Sequence, residues 1–211
     1  MKYRFFSLCL LFSLASNAFA ENKNASKLAY SGFSGGMMLH TGFVQSRDFA
    51  FYNSNGTVRE TAKLQGAPFG IGGALRLHFG EHLRVGTEGY VSTLTYGKNH
   101  SYSSVGWGGL LADCAWHINS WIPFVGGTIG GGSVKNLTLL EPTPDDFTLE
   151  NNSTSYRKYT FMALTPFVGV EYAMTEKVHL VLKVDYLLNL TNWQDDFATG
   201  PRVYFGFMFC H

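Results

Sequence analysis

Eight charged side chains carry most of the chemistry this chain could do. Arg76, Arg84, Lys183 and Arg202 are set against Glu88, Asp113, Glu171 and Asp185. A buried unpaired charge is costly, so four cations enclosed with four anions are expected to neutralise one another. His78, His117 and His179 are expected beside them. A second grouping, His40, His100, Ser101, Ser103 and Ser104, has the residue types of nucleophilic catalysis, in which an imidazole activates a hydroxyl and a carboxylate orients the imidazole. Its Ser- and Asn-rich setting makes such a grouping expected without catalysis. No His/Cys/Asp spacing recurs as metal ligands do. No catalytic residue, metal site or cofactor is predicted.

These residues need elements to position them, and the clearest lie between Phe161 and Leu190. Side chains alternate faces along a strand. Val178, Leu180, Leu182, Val184, Tyr186, Leu188 and Leu190 share one face, while His179, Lys183, Asp185 and Asn189 share the other. Met162, Leu164, Pro166, Val168, Val170 and Tyr172 line the apolar face of the preceding strand, opposite Phe161, Thr165, Phe167 and Glu171. Met174 to Lys177 form the turn between them. A hairpin apolar on one side and mixed on the other suits lipid outside and a packed interior inside.

The same alternation recurs along the chain, placing eight strands near 32–44, 66–79, 83–97, 102–118, 122–139, 161–173, 178–190 and 200–211. Links after the second, fourth and sixth strands are short. Those at 45–65 and 140–156 are long and polar. Strands this long exceed the usual 5 or 6 residues of globular proteins and the ~9–11 that cross a bilayer. An even strand count with short turns at one end and long loops at the other is the pattern of a transmembrane barrel. The predicted fold is all-β: an eight-stranded antiparallel up-and-down transmembrane β-barrel. Such a barrel is just wide enough to be filled by its own side chains, and open aqueous channels belong to about sixteen strands. The eight charges therefore read as an ion-pair plug, with a gated narrow pore as the alternative.

The run Pro123-Phe124-Val125-Gly126-Gly127-Thr128-Ile129-Gly130 resembles the Pro-aromatic, glycine-repeat strand of small outer-membrane barrels. Gly169-Val170-Glu171-Tyr172, a turn, then Leu180 to Tyr186 resembles the next hairpin of the same group. The group includes the membrane domain of outer membrane protein A and the opacity-type surface proteins. The resemblance covers the mature chain as a pattern, and particular residues from about Pro123 onward. It implies residence among outer-membrane lipid and lipopolysaccharide, and handling by the barrel-insertion machinery, which reads a terminal aromatic. Here Phe209 is followed by Cys210 and His211. Some barrels resembling this one remodel lipid A, by acyl transfer or deacylation, but no motif of either activity matches.

The N-terminus reads as an export signal. Lys2 and Arg4 precede an apolar run from Phe5 to Leu14, and Ala18-Phe19-Ala20 is a small-x-small cleavage site. The expected organisation is a cleaved signal at 1–20, a polar leader at 21–31 and the barrel at 32–211, in the outer membrane of a Gram-negative-type bacterium. Sixteen Lys and Arg against fifteen Asp and Glu leave a net charge of +1, which argues against a nucleic-acid partner. Cys114 and Cys210 read as small apolar residues rather than a disulfide framework.

The loops hold Arg47, Phe49, Phe51 and Tyr52; then Glu141, Asp145, Asp146, Phe147, Leu149 and Glu150; then Trp193, Asp195, Asp196 and Phe197. They read either as solvated acids with interfacial aromatics, or as a surface patch for an extracellular protein, glycan or divalent cation. The sequence favours a structural or surface-interaction role and not an enzyme. The rivals are a lipid-A-modifying enzyme and a soluble lipocalin-like barrel, which would need an apolar interior and a polar exterior.

Overall fold

The computed structural model describes residues 29–52, 58–97, 101–139, 154–191 and 194–211. The expected signal segment, most of the leader, His100, Trp193 and the acidic stretch 141–150 lie outside the described residues.

Eight long strands form the barrel: β1 (Tyr30–Gly42), β2 (Phe69–Phe79), β3 (Leu83–Tyr96), β4 (Ser101–Ala115), β5 (Trp121–Leu139), β6 (Thr154–Ala173), β7 (Val178–Tyr186) and β8 (Pro201–Cys210). Each pairs antiparallel with its chain neighbours. β8 also pairs with β1, from Ser34 opposite Cys210 to Gly42 opposite Arg202, which closes the ring. Closure removes the free edges that an open sheet would present.

Period-2 patterning decides which side chains fill the ring. Along β8, Arg202, Tyr204 and Met208 are buried while Val203, Phe205, Phe207 and Phe209 are exposed. Along β7, Val181, Lys183 and Asp185 are buried while Leu182, Val184 and Tyr186 are exposed. The exterior is thus a belt of Leu, Ile, Val, Met and Phe, and the charges lie within. A lipocalin-like barrel needs the reverse arrangement.

The short turns gather at one end of the barrel. Gly80 takes a left-handed φ of 61° and Asn119 one of 56°. Asn tolerates that conformation better than most residues. At the third turn, the Thr175 hydroxyl accepts from the backbone N–H of Val178 at 3.0 Å.

Three expectations about the connections change. The 140–156 link ends early, because β6 already begins at Thr154 rather than near 161. The 45–65 link is not a plain loop. Val44–Gln45 pairs with Gln65–Gly66, and Phe49–Tyr52 pairs with Val58–Ala62. The ladder continues past the barrel because Val44, Leu64, Leu94, Tyr96 and Ala198 bury a second apolar cluster there, with Phe49 against it. At the opposite end, β4 stops at Ala115 rather than 118. The chain then turns through Asn119 and Ser120, and Trp121 is already the first residue of β5. His117 is exposed in that connection and takes no place beside the interior charges.

Candidate functional site

The eight charges singled out by sequence all lie buried on the inner face. Strand register sorts them into two groups. Nearer the turn end, Arg84 on β3 stands opposite Asp113 on β4. Its Nε donates to Asp113 Oδ1 at 2.5 Å and its Nη1 to Glu171 Oε1 at 2.7 Å. Arg76 Nη1 donates to the same Glu171 oxygen at 2.6 Å, and Arg76 Nε lies 3.2 Å from Asp113 Oδ2. Both guanidinium groups lie over the Phe124 ring, at 4.8 and 5.0 Å from its centroid.

The second group lies nearer the middle of the barrel. Lys183 Nζ donates to Glu88 Oε2 at 2.8 Å and lies 4.0 Å from Asp185 Oδ2. Thr128 Oγ1 donates to the other Glu88 oxygen at 2.6 Å, and Tyr90 OH donates to Glu88 Oε2 at 3.3 Å. The ammonium is caged by the rings of Tyr204, Tyr90 and Phe167, at 4.3, 4.6 and 4.9 Å. Arg202 faces Asp185 across β7 and β8, and stacks over Trp107 at 4.9 Å. Each group holds two cations and two anions, so each is neutral by itself. Charge-assisted bonds of this kind are about twice as strong as neutral ones.

His179 and His78 join the first group. His179 Nδ1 lies 3.2 Å from Glu171 Oε2 and 3.5 Å from Cys210 Sγ. His78 Nε2 is 2.8 Å from Ser34 Oγ, a contact that sequence reasoning missed. The spacing of Ser34 and His78 gives no signal of it, since their meeting depends on β1–β2 register.

The catalytic grouping considered from sequence does not assemble among the described residues. His40 is buried in a box made by Tyr204, Trp107 and Tyr90, with ring centroids 4.7 to 5.7 Å away. Ser103 donates instead to Asn136 Oδ1 at 2.5 Å, and Ser104 lies on the outer face beside Lys135.

The loop end carries the other polar site. Asp196 is buried rather than solvated. Asn136 Nδ2 donates to its Oδ2 at 2.8 Å, and Arg157 Nη1 lies 3.4 Å from its Oδ1. Arg157 also bonds Gln194. Above them opens a recess of about 410 Å³ lined by Phe49, Ala50, Asn136, Thr138, Ser155, Arg157 and Asp196. Phe197 turns inward onto Phe161, ring centroids 4.9 Å apart. Asp195 remains a solvated loop acid, 3.6 Å from the exposed Arg47.

With this geometry in hand, the chain has the fold of the small eight-stranded outer-membrane β-barrels. Neisserial surface protein A superposes with a TM-score of 0.54 at 14% identity, over 86% of this chain and 97% of that one. Ail, the attachment invasion locus protein of Yersinia pestis, crystallised with the heparin analogue sucrose octasulfate, gives 0.50 at 11% identity, over 86% and 99%. OprG from Pseudomonas aeruginosa gives 0.50 at 15% identity, over 86% and 97%. No protein-family model and no curated protein matches the chain.

Proposed function

We infer that the protein is a closed outer-membrane barrel of a Gram-negative-type bacterium, without catalytic activity, that displays its long loops at the cell surface for structural and binding roles. The observation that carries this reading is the pair of charge groups buried on the inner face of the barrel, which supports a plugged lumen. The recess between them and the loop end, beside Ser92, Ser103 and Arg202, holds about 10 Å³, roughly one water. A solute path through such an interior would have to break buried ion pairs. Recognition then falls to the loop end, where the Asn136–Arg157–Asp196 recess lies.

The Ail structure contains a sulfated sugar analogue. The recess here offers Arg157, Asn136 and Ser155 as polar groups toward an extracellular glycan, with Phe49 beside them. Proteins and divalent cations are the other candidate loop ligands.

Proteoliposomes test the closed lumen. The protein should not release glucose-sized solutes and should give no steady ion conductance in a planar bilayer. Stable conductance by the wild type would replace the plug with a pore. External protease on intact cells should cut within 45–65 and 140–156 and spare the turns at Glu81, Ser120 and Glu176. Cleavage at those turns with the membrane intact would reverse the orientation.

A further inference from the structure

Lys135 on β5 and Lys158 on β6 stand directly opposite each other in the β5–β6 register. Both are exposed, while Val134 and Asn136 beside Lys135 are buried, so the lysines point outward. Among the described residues no salt bridge reaches either one. Like charges directly opposite on a sheet are destabilising. A lone interfacial lysine needs only water, but two set face to face are offset best by a shared anion.

The height of the pair says where that anion comes from. Trp121 and Tyr172, paired across β5 and β6 with ring centroids 4.9 Å apart, mark the aromatic belt at the turn end. From Trp121 to Lys135, at ~3.3 Å per residue and a tilt of about 40°, the chain climbs about 35 Å. The apolar band of such barrels is about 25 Å tall, so the pair stands about 10 Å beyond it. The outward ladder agrees: Ile129/Leu164 and Gly131/Met162 give way to Ser133/Thr160, then Lys135/Lys158. Ser104 extends the lysine row on β4, adding a hydroxyl. One row further out lie Tyr102, Leu137 and Tyr156, and the exposed rings of the two tyrosines offer faces to a sugar.

We propose that Lys135, Lys158 and Ser104 form a docking site for a phosphorylated sugar of the outer-leaflet glycolipid, the phosphate lying between the two ammonium groups. This rests on the loop end facing outward, which the test reads separately.

The protein in neutral detergent micelles is titrated with bisphosphorylated lipid A, with lipid A stripped of phosphate, or with inorganic phosphate, and bound lipid is counted by native mass spectrometry. The wild type should bind the bisphosphorylated form about tenfold tighter than the stripped one, the effect of a charge-assisted contact. A Lys135→Gln/Lys158→Gln variant should lose that preference while keeping its heat-dependent gel mobility. A variant that keeps the preference overturns the site. Inorganic phosphate that competes as well as the lipid overturns the assignment to glycolipid. A Lys135→Cys variant in a Cys114→Ser/Cys210→Ser background should react with an impermeant maleimide on intact cells. Absence of labelling there removes the outward placement and the proposal with it. Labelling without lipid preference removes the proposal alone.

Discussion

Phe124 and Phe167 meet edge to face, ring centroids 6.0 Å apart, and each takes a different set of cations. Arg76 and Arg84 lie over Phe124, and Lys183 lies over Phe167. The two rings thus stand between the Arg76–Arg84–Asp113–Glu171 group and the Lys183–Glu88–Asp185–Arg202 group. Two neutral clusters parted by aromatic carbon can be perturbed one at a time.

Lys183→Met tests the middle cluster. It leaves Glu88 buried without its cation, at a cost of about 3–5 kcal/mol. Adding Glu88→Gln should recover much of that loss, because an uncharged pair no longer carries an isolated anion. Denaturant unfolding in detergent reads both variants. If Lys183→Met unfolds at the wild-type midpoint, the ion pair does not matter to stability.

The aromatic partition predicts independence. Losses from Lys183→Met and Arg84→Met should add to within about 0.5 kcal/mol, as expected for sites without shared partners. Arg76→Met and Arg84→Met share Glu171 and Asp113, so they should depart from additivity by about 0.5–3 kcal/mol. Equal coupling in the two double-mutant cycles would mean one continuous network.

The faces of β7 can be checked by charge placement. Leu182 is outward and 46% exposed, so Leu182→Lys puts an ammonium into lipid at about 2–4 kcal/mol near the midplane. Folding yield into vesicles should fall. A harmless Leu182→Lys, together with a Lys183 that tolerates only apolar replacements, would exchange the inner and outer faces.

Much of this architecture was legible because a period of two survives wherever large side chains mark both faces, as along Val178–Tyr186 and Pro201–Cys210. It faded in β5, where Gly126, Gly127, Gly130, Gly131 and Gly132 leave the phase unmarked. The inner placement of the charges followed from the same alternation. Their division into two clusters did not, because Arg84 opposite Asp113 depends on the β3–β4 register and Lys183 near Glu88 on contact across the barrel between strands far apart in sequence. His117 continues the alternation of Asp113 in sequence but lies past Ala115, where the strand stops. Asp196 looked like a solvated loop acid because nothing local announces Asn136 and Arg157 as its partners.

The glycine-rich face of β4 and β5 gives the last prediction. Gly109 stands opposite Gly130, and Gly108 opposite Gly131. The two pairs face opposite ways, and their surroundings differ. A Cβ at Gly130 would come within 2.1 Å of the Gly108 carbonyl oxygen and 2.5 Å of Gly109 Cα, both backbone atoms that cannot swing aside. A Cβ at Gly131 would meet nothing closer than the Phe161 carbonyl oxygen at 3.6 Å, an ordinary contact. Gly130→Ala should therefore cost about 1–3 kcal/mol through overpacking. Gly131→Ala should fall within about 0.5 kcal/mol of wild type, as most outward substitutions do. Thermal unfolding of the two variants in the same detergent compares them directly. Equal midpoints would mean that the close approach of β4 and β5 at Gly130 relaxes freely, and that this glycine is not required by backbone crowding.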